Sequence, residues 1–102
     1  MSMTHDSDNR ALDINIGRVL EMFRTGFLPR TAAHEALEKF FSDCGRRKDA
    51  QLDSDLDAIL DRIDDNSLPL KQAREALVKA AVACERNDPK AANLLHHIAV
   101  PA

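Results

Sequence analysis

The chain has no tryptophan or tyrosine, only four phenylalanines and three glycines in 102 residues. So few aromatic and turn residues, against abundant Ala, Leu, Glu, Asp and Lys, argue against a sheet-rich fold and favour an all-helical one. No apolar run approaches the ~20 residues that a membrane span requires, and the polar N-terminus lacks a signal-peptide hydrophobic stretch. The expectation is therefore a cytoplasmic protein. Only two cysteines are present, Cys44 and Cys84. A disulfide needs Cα atoms within about 7 Å, and corresponding ends of neighbouring helices about 10 Å apart do not meet that unless the side chains point at each other. Reduced, partly buried thiols are expected.

Chemical signatures are equally scarce. There is no Gly-rich phosphate loop, no nucleophile elbow and no Ser/His/Asp order. Adjacent His96 and His97 point about 100° apart on a helix and do not readily share a metal, and His5 and His34 stand apart from them. Read as a calcium loop, Asp61, Ile63, Asp65, Ser67 and Gln72 supply too few oxygen ligands and no closing glutamate. The expectation is no catalytic residue, no metal and no cofactor.

What is present is an internal duplication. Residues 11–44 laid forty positions along match 51–84 without a gap, with 11 identities in 34 pairs. Unrelated stretches of that length share roughly two. The repeated residues include Leu20/Leu60, Leu28/Leu68, Pro29/Pro69, Leu37/Leu77 and Cys44/Cys84. In the first copy Leu12, Ile16, Val19, Leu20, Phe23 and Phe27 recur at helical spacing; the second copy answers with Leu52, Leu56, Ile59, Leu60 and Ile63. Gly26 and Asn66-Ser67 are helix stops, and Pro29 and Pro69 fit the first turn of a following helix. Each copy therefore reads as a helical hairpin, and Glu35–Lys39 and Glu75–Lys79 place the same i,i+4 pair on each second helix.

The resulting expectation is an all-α fold, a duplicated helical hairpin forming a compact four-helix bundle, plus a short C-terminal helix. Residues 1–9 read as a disordered tail and 10–102 as a single helical domain. Its parts are repeat one (11–44), a linker (45–50), repeat two (51–84) and a helix over 88–99 that starts at Asp88-Pro89. That last helix is expected to fold back and cover Val78 and Val82, an apolar stripe that repeat one lacks. Phe40-Phe41 in one copy faces Ala80-Ala81 in the other, a division of volume that suits one shared core.

Function is read from where the copies differ. Residues 49–66 carry seven Asp and one Arg, a net charge of −6 in a chain whose total is −3. Asp53, Asp57 and Asp61 lie on one stripe, a candidate docking face for a basic protein partner. Ile14 and Met22 project from the outer side of the first helix, near Gly17, where repeat two has Ser54, Arg62 and Asp57. They are the candidate apolar contact, for self-association as a homodimer or for another protein. The leading reading is a small non-catalytic interaction or regulatory protein working through these helical surfaces. The alternatives are a nucleic-acid-associated regulator using Arg46, Arg47 and Lys48, and a small helical enzyme whose site forms between subunits.

Overall fold

The computed structural model describes the backbone of residues 2–100 and the side chains of residues 10–100. Five helices follow in order: α1 (Ser2–Arg24), α2 (Arg30–Asp43), α3 (Ala50–Asp64), α4 (Leu70–Glu85) and α5 (Ala91–Ala99). There is no strand among the described residues, and no helix is long and apolar enough to cross a membrane. The radius of gyration of 12.8 Å is close to the ~13 Å expected of one packed body of this length.

The forty-residue offset reappears in the hydrogen bonding. At the end of α1, Thr25, Gly26 and Leu28 donate their backbone N–H groups to Glu21, Phe23 and Met22. At the end of α3, Asp65, Asn66 and Leu68 donate to Asp61, Ile63 and Arg62. Both turns pass through the left-handed region, at Gly26 (φ 87°) and Asn66 (φ 66°), the residue types that tolerate it. Pro29 and Pro69 then cap the next helices, and their carbonyls accept from Ala33 and Ala73.

The core follows the repeated stripes. Ile16 and Leu56, Leu20 and Leu60, and Leu37 and Leu77 are all fully buried. Phe41 and its counterpart Ala81 are both at 0 % exposure, so a large and a small side chain are buried forty positions apart. Phe40 is half-buried against this core. α1 packs on α2 and α4, and α3 packs on α2.

α5 lies outside the forty-residue repeat. It packs on both α4 and α3, while α3 and α4 touch each other only slightly. A nine-residue helix is too short to be stable alone, and two side chains of α3 hold it. Arg62 donates to the Ile98 carbonyl at 2.6 Å, satisfying an acceptor at the end of α5. His96 meets Asp55 at 2.9 Å.

Several expectations are corrected. Phe27 is 82 % exposed rather than on the core stripe. The helix stops at Arg24, Gly26 redirects the chain, and Leu28 turns inward instead. The helix expected over 88–99 begins at Ala91, because Asp88 accepts from the backbone of Lys90 and Ala91 and so closes a separate turn. The α1 backbone is helical from Ser2, through most of the stretch read as a disordered tail; Met1 lies outside the described residues. No proline or glycine interrupts 2–16, and extending a formed helix adds a hydrogen bond per residue. Gly17 does permit a close approach, but it is Arg74 of α4 that lies over it: a Cβ there would sit 2.8 Å from the Arg74 Cδ.

Both thiols are free, Cys84 buried and Cys44 partly so. Burial, followed by the nearby Glu85, Cys84 and Asp43, pushes the Cys44 thiol up to about 11. Burial also raises Cys84, against a smaller lowering by Arg46. Both are therefore neutral near pH 7, and iodoacetamide is expected to react with the folded protein much more slowly than with the urea-unfolded chain. The unfolded chain releases its thiol protons near the ordinary value of 9, whereas folded Cys44 keeps its proton to about 11. Stability should hold below pH 9 and fall as the pH rises through that window. A urea midpoint followed with pH checks this, and Cys44→Ser should flatten the fall.

Candidate functional site

Residues of α2 and α3 form a polar recess of about 480 Å³ lined by Arg30, His34, Glu38, Lys48, Asp53 and Asp57, with Thr31 and Glu35 at its margin. Helical spacing puts Arg30, His34 and Glu38 on one face of α2, and Asp53, Asp57 and Asp61 on one face of α3. The two faces meet.

Arg30 Nη1 lies 2.7 Å from the Asp61 carboxylate. Its Nη2 donates to the Asp57 carbonyl at 2.8 Å and stands 3.7 Å from that residue's carboxylate. His34 Nε2 faces two oxygens of Asp53, the carboxylate at 3.0 Å and the carbonyl at 3.2 Å. A ring nitrogen between two acceptors carries the hydrogen. Lys48, reaching in from the linker, sits 3.2 Å from Glu38. The acidic stripe is thus met by Arg30 and His34 of its own chain. Asp53, Asp57 and Asp61 remain more than half exposed, and such exposed pairs are each worth about 0–1 kcal/mol.

A second recess between α1 and α4 shares four lining positions with the first at the forty-residue offset. It is lined by Gly17, Glu21, Leu70, Lys71 and Arg74, which lie forty positions from Asp57, Asp61, Arg30, Thr31 and His34. Arg74 pairs with Asp13 at 3.2 Å, as His34 pairs with Asp53. The chemistry of the two has diverged. At the positions of His34 and Asp57 in the α2–α3 recess, the other has Arg74 and Gly17, and the residue forty positions from Glu38 is Val78, outside that second recess.

Asp55 is the least expected residue. It is 2 % exposed and falls on the apolar stripe of α3, between Leu52 and Ile59. Gln51 and His96 both donate to its Oδ1 at 2.9 Å, and Oδ2 has no partner among the described residues. The helical period places Asp55 on the buried face of α3, although it belongs to the acidic run 49–66.

The third feature is apolar. Along α4, between α1 and α5, lies a recess of about 720 Å³ floored by Val78, Val82 and Ala83 and walled by Leu94. Its rim holds Arg10, Asp13, Glu75, Lys79, Arg86 and Asp88. The expected cover over Val78 and Val82 is therefore incomplete: α5 packs beside the stripe rather than across it. Ile14 and Met22 are exposed on α1, at 52 % and 38 %. The basic linker is dispersed, with Arg46 beside Asp49 at 3.5 Å and Lys48 beside Glu38.

Comparison with known protein families, with curated proteins and with solved structures returned no match.

Proposed function

We propose that the chain is a non-catalytic interaction protein, a duplicated helical hairpin in a four-helix bundle, that receives an amphipathic helix of a protein partner along α4. The observation that carries this reading is the α4–α5 recess. Its floor is apolar at i, i+4 spacing, through Val78 and Val82, and its rim carries charges of both signs. From Glu75 to Arg86 the recess runs about 16 Å along α4 at 1.5 Å per residue, the length of about three turns of a docked helix. Apolar anchors one turn apart, flanked by charged residues, are what such a groove recognises. Repeat one has Glu38 and Ser42 at the positions of Val78 and Val82, so the apolar floor belongs to one copy alone.

Basic-partner docking on Asp53, Asp57 and Asp61 ranks lower, because Arg30 and His34 already engage that stripe. Nucleic-acid binding by the linker ranks lower for the same reason. A homodimer through the outer face of α1 is the second reading, favoured by the exposure of Ile14, Met22 and Phe27; Ile14→Glu should then shift a sedimentation profile to monomer.

The groove is tested with Val82→Asp. A partner captured by the unmodified protein should bind this variant at least about tenfold more weakly, while circular dichroism stays unchanged. It should still bind the variant with Asp53, Asp57 and Asp61 all replaced by Asn. The opposite pattern would move the site to the acidic face.

A further inference from the structure

The geometry points to a divalent transition-metal site that clips α2 to α3 through His34, Glu38 and Asp53. His34 and Glu38 are one turn apart on α2, and Asp53 faces them from α3. One ligand atom from each lies within 4.8 Å of the other two. The His34 Nε2 to Asp53 separation of 3.0 Å is already near the ~3.3 Å between neighbouring ligands on a tetrahedral zinc.

Three further observations favour a cation. The recess is lined by four carboxylates against two fixed cations, Arg30 and Lys48. Asp57 stands 3.8 Å from the same His34 nitrogen, placed to hold a bound water or to become a fourth ligand. The only ammonium on the ligand set belongs to Lys48, whose side chain is 72 % exposed and free to swing into solvent. The related recess is a built-in comparison: Arg74, Val78 and Asp13 keep one ligand-type residue of the three. One imidazole with two or three carboxylates suits zinc and its first-row neighbours; magnesium and calcium prefer all-oxygen sets.

Binding is an exchange without redox change. The metal takes the Nε2 lone pair of a neutral His34 imidazole whose one hydrogen sits on Nδ1, a ring with hydrogens on both nitrogens gives one up as a proton, and Lys48 gives up Glu38 to the metal. Affinity therefore falls as the medium is acidified. The ion joins the second helix of repeat one to the first helix of repeat two, so its effect is read as stability.

The test is calorimetric titration with Zn²⁺, paired with thermal unfolding, on the full chain and on a Cys44→Ser/Cys84→Ser variant that removes the competing thiols. Both proteins should bind Zn²⁺ equimolarly and unfold at higher temperature with it, and neither should respond to Mg²⁺ or Ca²⁺. His34→Gln, Glu38→Gln and Asp53→Asn should each weaken binding at least about tenfold. His96→Gln should not, and Lys48→Gln should tighten it. Co²⁺ should give ligand-field bands without thiolate charge transfer, a spectral readout that does not depend on variant stability. Failure to bind Zn²⁺, binding lost with the cysteines, or binding that survives His34→Gln in a folded protein overturns the site.

Discussion

Phe41→Ala is expected to lower the unfolding free energy by about 3–5 kcal/mol. The ring is completely buried among Leu37, Leu77 and the other apolar residues of the shared core. Truncation removes its transfer energy and leaves a cavity, which rigid helices close only in part. Domains of this size have total stabilities of about 5–15 kcal/mol, so the variant should sit near the edge of folding. Urea denaturation measures the effect, and the neighbouring rings calibrate it. Half-buried Phe40→Ala should cost less, and Phe27→Ala, at 82 % exposure, should stay within about 0.5 kcal/mol of the parent. A Phe41→Ala midpoint close to the parent's would place the ring outside the stabilising core.

The second large effect concerns the attachment of α5. His96→Ala should destabilise the protein by about 1–3 kcal/mol, because it leaves the buried Asp55 carboxylate with Gln51 as its remaining partner. His96 is about half exposed, and water entering the gap keeps the cost below that of a fully buried broken ion pair. The same substitution made on Asp55→Asn should cost much less, since a neutral amide tolerates the loss. The double-mutant cycle should therefore return a coupling of about 0.5–3 kcal/mol. Hydrogen exchange should show α5 opening first in the single variant. Additive effects would mean that the apolar face of α5 and the Arg62–Ile98 hydrogen bond hold it without this pair.

These two predictions were unequally legible. Phe41 follows from the repeat, because a stripe that carries Ala81 in one copy and Phe41 in the other describes two halves of one core. Asp55 was hidden by its surroundings, since an acidic run reads as a solvated face even where one member falls on the apolar period. Phe27 shows the converse. Its spacing matched the core stripe, yet its counterpart Ser67 is polar, and the repeat alone places position 27 in the turn. The His34–Glu38 spacing was visible on one helix, but its partner Asp53 lies on another and acquires meaning only when α2 and α3 cross.

The amino-acid sequence by itself determined what is local and periodic: the helical class, the two turns at Gly26 and Asn66, the proline-marked starts of α2 and α4, and the paired core positions. Short-range backbone sterics and the period of 3.6 residues act within a few turns, so a linear reading reaches them. Tertiary structure alone decided which faces meet. It laid α5 against α3 as well as the expected α4, left Val78 and Val82 in an open groove, set Arg74 over Gly17, and brought Arg30 and His34 onto the acidic stripe. Those outcomes depend on side chains of different helices competing for the same surface, where burial and charge pairing act through space rather than along the chain.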